Sequence, residues 1–118
     1  MLSRRKLFLL PALLLALAAL TACPSQTNIG KITADPDRYM DKEVGVVGRV
    51  TDSYGVPLVG GAYELDDGTG KIWVVTQRGV PSKGSRVGVK GRVYTGAAFR
   101  GRNFGTALRE EDRRVKSN

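Results

Sequence analysis

Residues 62–76 read AYELDDGTGKIWVVT, and the fold turns on how they are taken. Tyr63, Leu65 and Asp67 alternate with their neighbours, Asp67-Gly68-Thr69-Gly70 interrupts, and Ile72, Val74 and Thr76 resume the alternation. A period of two is the mark of strands. Gly68 and Gly70 are free to take positive φ, and the Asp67 carboxylate is placed to accept backbone N–H groups in the turn. The stretch therefore predicts a β-hairpin. With Ile72 and Val74 inward, Trp73 and Val75 face outward on the second strand, beside outward Ala62, Glu64 and Asp66 on the first.

The same alternation extends to both sides. Upstream, EVGVVGRVT (residues 43–51) predicts a strand with Val44, Val46 and Val50 on one face, and its Gly45 and Gly48 predict a sharp bend or bulge. DSYGVPLVGG (52–61) reads as a Gly-rich loop. Downstream, QRGVPSKGS (77–85) is a loop and RVGVKGRVY (86–94) a strand. TGAAFRGR (95–102) is expected to be a flexible connection, NFGTALRE (103–110) a last strand, and residues 111–118 a frayed charged tail. ITADPDRYM (32–40) predicts a short turn or helix that packs Ile32, Tyr39 and Met40 onto the end of the sheet.

Five short strands with a bend in the first describe an all-β, nearly closed sheet, since closure removes exposed edges. The run Glu43-Val44-Gly45-Val46-Val47-Gly48-Arg49-Val50, then Tyr63-x-Leu65-x-Asp67-Gly68-Thr69-Gly70-x-Ile72-x-Val74, then Gly84-x-x-Val87-x-Val89-x-Gly91-x-Val93 resembles an OB-fold of the anticodon-binding-like, nucleic-acid-binding type. The resemblance implies a five-stranded Greek-key barrel preceded by a short helix or turn. It also implies a ligand face on strands two and three, between the loops that join strands one to two and four to five. The helix usual between strands three and four has no room in residues 77–85.

The N-terminus is of another kind. Arg4, Arg5 and Lys6 precede an uncharged apolar run of 14 residues, 7–20, the pattern of a secretory signal. As a helix the run rises about 21 Å, short of the roughly 30 Å hydrocarbon layer, and Pro11 interrupts it. Leu20-Thr21-Ala22-Cys23 directly after it resembles the bacterial lipobox. That resemblance implies cleavage before Cys23, diacylglyceryl transfer to its thiol and, in many bacteria, fatty acylation such as palmitate on the new amine. The alternative is a cysteine that lies near a cleavage site by chance. The implied organisation is a signal peptide at 1–22, an acylated N-terminus and flexible tether at 23–31, an OB-like domain at 32–110 and the tail at 111–118. Localisation follows: cell membrane or outer membrane, lipid-anchored, facing the periplasm or the exterior.

Three of the eight net positive charges belong to the leader, and nine cations with no acid lie between residues 71 and 109. Arg86, Lys90 and Arg92 share the outward face of strand four, while Phe99, Arg100 and Arg102 lie with Phe104 in the connection between strands four and five. Together with Trp73 these are the candidate ligand contacts; the competing expectation is solvated arginines, with Phe99 and Phe104 plugging the barrel. Glu64 and Asp66 beside Trp73 oppose a phosphate backbone. There is no histidine, and an acylated Cys23 has no free thiol, so no catalytic set, metal site or cofactor is expected. Haem chaperones with OB-folds attach through a histidine that this chain lacks. Glu110-Glu111-Asp112 beside Arg113-Arg114 reads as a solvated end. The sequence thus points to a non-catalytic binder of a protein partner or an anionic envelope component, or alternatively of single-stranded nucleic acid or oligonucleotide.

Overall fold

The hairpin forms as its alternation requires. In the computed structural model, which describes residues 26–56, 59–99 and 101–116 and of Val56 and Phe99 the backbone alone, β2 (Gly60–Asp66) pairs antiparallel with β3 (Lys71–Thr76). Tyr63 lies opposite Val74 and Leu65 opposite Ile72, and all four are buried. Gly68 takes φ +86° at the turn. Asp67 Oδ1 accepts the backbone N–H groups of Thr69 and Gly70.

β1 (Glu43–Val56) is long enough to belong to two pairings. Its first half runs beside β4 (Arg86–Phe99) and its second half beside β2. The strand bends where the partners change: a Cβ on Gly48 would lie 2.9 Å from the Asp66 carbonyl oxygen, and the register shifts between Val50 and Asp52. β5 (Arg102–Val115) pairs antiparallel with β4 and parallel with β3, which closes a barrel in the order β1-β2-β3-β5-β4. This is the small five-stranded all-β barrel expected, with no helix between β3 and β4.

Val44, Val46, Val50, Tyr63, Leu65, Ile72, Val74, Val87, Val89, Val93 and Leu108 fill the barrel. Two short helices, α1 (Ile29–Ala34) and α2 (Pro36–Tyr39), cover one end. Ile29 and Ile32 are fully buried and Tyr39 packs against the same core. The β2–β3 turn holds α1 in place: Asp67 Oδ2 accepts the Ile29 N–H at 2.9 Å, and Thr69 Oγ1 accepts that of Gly30 at 3.0 Å. The carboxylate thus caps a helix distant in sequence, satisfying an N–H that has no partner within the helix.

Four boundaries differ from expectation. Residues 52–61 are mostly a hairpin, with Tyr54 opposite Ala62 and Gly55 opposite Gly61. Their glycines serve close approach, since a Cβ on Gly61 would sit 2.4 Å from Gly55 Cα. Residues 95–102 continue β4 as far as Phe99, and Gly96 (φ +76°) accommodates a register shift between Tyr94 and Ala97. β5 runs five residues past Glu110 to Val115, which lies opposite Val87, so these tail residues are sheet. Residues 26–31, expected within a flexible tether at 23–31, belong to the domain: Gln26 bridges Gly45 in parallel, the Thr27 N–H donates to the Gly45 carbonyl at 2.7 Å, and Ile29 is core. The apolar leader, Cys23 and Arg100 lie outside the described residues.

Candidate binding face

A second apolar cluster lies outside the barrel, on the outer surface of the sheet. Ala62 of β2, Ala97 of β4 and Ala107 of β5 are each 0% exposed and Phe104 of β5 is 9% exposed. Tyr54, Trp73, Val75 and Tyr94 pack on them, half-buried. The register explains the grouping, because Tyr54 faces Ala62, Ala62 faces Val75, Trp73 faces Ala107 and Tyr94 faces Ala107. Small residues make the floor and rings lie over it. Ala62 was expected to face outward and does, but the rings cover it completely.

The Trp73 and Phe104 ring centroids are 4.7 Å apart, tilted at 46°, and Tyr54 lies 6.2 Å from Phe104. Such tilted pairs at this separation are attractive beyond their buried area. Arg102 crosses all three rings, its guanidinium carbon 5.5 Å from the Tyr54 centroid, 5.1 Å from Trp73 and 5.3 Å from Phe104. Beside them Arg109 lies 4.6 Å from the Tyr94 centroid. Burial pushes the Tyr94 phenol up, partly offset by the Arg109 charge. The β1–β2 and β4–β5 hairpins are therefore joined across β3 by stacked aromatics under an exposed cation. Phe104 belongs to this outer layer and not to the barrel interior, which corrects the alternative of a plug for Phe104.

The carboxylates near this face are engaged locally. Glu64 lies opposite Trp73 in the β2–β3 register, and its carboxylate accepts the Thr51 hydroxyl at 2.9 Å. Asp66 accepts the Gly68 N–H at 2.8 Å.

The candidate contacts do not form one site. Trp73 and Arg102 come together. Arg86, Lys90 and Arg92 lie along the other half of β4, over its seam with β1. There Lys90 sits 3.4 Å from Glu43, and Arg92 donates to the Asp41 carbonyl at 2.7 Å. The Phe99 side chain and Arg100 lie outside the described residues. Tyr54 was missed because residues 52–61 read as loop; its period-two offset from Asp52 and Val56 was the available signal.

A polar cluster lies near the β3–β4 loop. The Tyr63 hydroxyl donates to Glu110, whose carboxylate also accepts the Thr76 hydroxyl at 2.7 Å and Arg113 Nη1 at 3.2 Å. Arg113 Nη2 donates to the Gly79 carbonyl at 2.9 Å. The Glu110 side chain is 2% exposed, so Glu110 is not part of a solvated end. Burial pushes the Tyr63 phenol far up, reinforced by Glu110 and opposed by Arg113. Each of these side chains has a hydrogen-bond partner within the cluster. Among the described residues no group of three His, Cys, Asp or Glu side chains is placed to hold a metal ion.

No protein-family model and no curated protein matches the chain. Solved structures do. The structure of OBody AM3L09 bound to hen egg-white lysozyme matches with TM-score 0.57 at 18% identity, over 78% of this chain and 95% of that one. Asparaginyl-tRNA synthetase of Entamoeba histolytica in complex with asparaginyl-adenylate matches with TM-score 0.56 at 14% identity, over 79% of this chain and 23% of that one. A looser match, TM-score 0.49 at 20% identity over 64% of this chain, is to a Replication Protein A heterotrimer bound to ssDNA, of which this chain spans 58%. At such identities the likeness is one of fold, and the fold is the OB barrel.

Proposed function

We propose that this chain is a lipid-anchored, extracytoplasmic and non-catalytic binding module that takes a protein partner on the Tyr54–Trp73–Phe104 face. The lipid reading is supported by Leu20-Thr21-Ala22-Cys23 placed directly after the apolar run. The carrying observation for the face is the aromatic layer crossed by Arg102 between two hairpins. Aromatic residues and arginine are the types that dominate protein interfaces, and tight ring packing lowers the ordering cost of binding. A protein of similar fold, the OBody, is bound to another protein in its structure.

A second reading, binding of single-stranded nucleic acid, is favoured by the same rings, because bases stack on aromatic platforms beside arginine. Glu64 and Asp66 at the edge of that platform weigh against it, as does export.

The test is photo-crosslinking in envelope preparations with the mature chain, comparing wild type, Trp73→Ala and Arg102→Glu. A discrete protein adduct lost in both variants supports the reading; adducts unchanged in both variants overturn it. A thymidine oligonucleotide that quenches Trp73 fluorescence, with affinity falling steeply as salt rises, moves the function to nucleic acid. Mass spectrometry of the N-terminal peptide checks the anchor separately, and an intact leader or an unmodified Cys23 thiol refutes it.

A further inference from the structure

We propose that the outer face of the β1–β4 seam rests on anionic phospholipid headgroups and turns the Trp73 face away from the bilayer; this rests on anchoring at Cys23 as proposed above. Two independent observations lead there. The first is the place of Gln26 on the barrel. Gln26 is bridged to Gly45 of β1, and Cys23 lies three residues before it. Three residues span at most about 11 Å, so an anchor at Cys23 holds this seam close to the membrane surface.

The second is charge. Arg49, Arg86, Lys90 and Arg92 are exposed along the seam, and Arg114 and Lys116 join them from the end of β5. The acids among them are Glu43, paired with Lys90 at 3.4 Å, Asp112, which accepts the Arg113 N–H at 2.8 Å, and, beside Gln26, Arg49 and Arg86, Asp66 and Asp67, whose carboxylates accept N–H groups of the β2–β3 turn and of α1. The surface between is a cleft of about 640 Å³ with Gly45, Val47 and Gly88 among its lining and Lys42, Lys90, Arg114 and Lys116 around it. Lys116 lies over Gly88, its Cε 2.9 Å from where a Cβ would be. Cations at such a surface are attracted to anionic leaflets and screened by salt.

The closed strand order fixes what faces away. In β1-β2-β3-β5-β4, β3 lies across the barrel from the β1–β4 seam. Trp73 is on β3, so seating the seam on lipid presents the aromatic face outward to a partner.

The single cysteine permits a direct test. The mature chain, beginning at Cys23, is coupled through that thiol to maleimide-headgroup lipid in vesicles of phosphatidylglycerol or of phosphatidylcholine. Chemical coupling separates this question from whether cells acylate Cys23. Lysine acetylation is then read site by site, with acrylamide quenching of Trp73. The expected result is several-fold slower acetylation of Lys90 and Lys116 on phosphatidylglycerol than on phosphatidylcholine, with Lys71 of β3 and the quenching of Trp73 unchanged. Arg86→Glu with Arg114→Glu abolishes the difference, and Arg86→Gln with Arg114→Gln reduces it. For the uncoupled chain with its thiol blocked, each lost cation weakens partition onto the anionic vesicles roughly fivefold. Equal lysine rates on the two vesicles, or protection of Trp73, overturn the proposal. So does equal lysine protection by a soluble polyanion in the absence of vesicles, which reassigns the face to an acidic polymer.

Discussion

Replacing Glu110 by alanine is expected to cost about 3–5 kcal/mol of stability, the range for breaking a buried ion pair on one side. Three partners lose their acceptor. The Tyr63 hydroxyl belongs to a fully buried residue, and leaving it unpaired costs roughly 1–3 kcal/mol. The Thr76 hydroxyl is buried as well but still accepts the Arg78 N–H at 3.0 Å, so its loss is smaller. Arg113 is 17% exposed and keeps the Gly79 carbonyl, which lets water make up part of what it loses. Glu110→Gln retains one oxygen for Tyr63 and Arg113 and presents an N–H to a Thr76 hydroxyl able to accept it, so about 1–2 kcal/mol is expected. Urea unfolding followed by the fluorescence of Trp73, the single tryptophan, measures both at a common slope. If the alanine variant unfolds within 1 kcal/mol of wild type, or if the two variants coincide, the cluster is not a buried network and the reasoning fails.

Three further outcomes follow from the same physics. Because the Tyr63 phenol is pushed up from its ordinary 10.0, the stability it contributes is full below that value and is lost progressively above it; Tyr63→Phe should flatten the alkaline limb of the unfolding midpoint from about pH 10 upward. Burial would raise the Asp67 carboxyl, but hydrogen bonds from Ile29, Thr69 and Gly70 outweigh it and hold the group below its ordinary 3.8. Its contribution is therefore present above that value and lost as pH falls through the depressed one; Asp67→Ala should remove that acid dependence and cost about 1–2 kcal/mol at neutral pH through the lost cap. Gly61→Ala places a Cβ 2.3 Å from the Tyr54 carbonyl oxygen and should destabilise by about 1–3 kcal/mol. Hydrogen exchange should then quicken at Tyr54 and Ala62, whereas Gly79→Ala, with nothing within 4 Å, should stay within about 0.5 kcal/mol of wild type.

The barrel was legible because its signals are local. Residues 62–76 carry alternation and turn chemistry together, and the short 77–85 segment ruled out a helix. The two hairpins beyond the barrel were not legible, because glycine marks both a loop and a close approach. Gly55 and Gly61 are the second kind, while Gly96 supplies a positive φ at a register shift within a strand, and only the partner strand distinguishes these from a loop. Trp73 and Arg102 were found from their faces and their loop, whereas Tyr54 lay inside a stretch read as loop. Glu110 was hidden by its neighbours. A run of acids and arginines looks solvated, yet β5 continues through it and turns one carboxylate beneath the sheet, where Tyr63 and Thr76 await it.

The outer aromatic layer has two consequences that pull on the same residues. It ties the β1–β2 and β4–β5 hairpins to β3, so it contributes to stability, and it holds those hairpins at a fixed separation, so the face needs little reordering when a partner arrives. A change at Trp73 alone would confound the two. Arg102 separates them, because it is exposed and lies over rings that also touch one another without it. Its removal should cost only about 0.5–1 kcal/mol of folding stability. A loss of partner binding far larger than that would belong to the cation's contact with the partner and not to collapse of the layer beneath it.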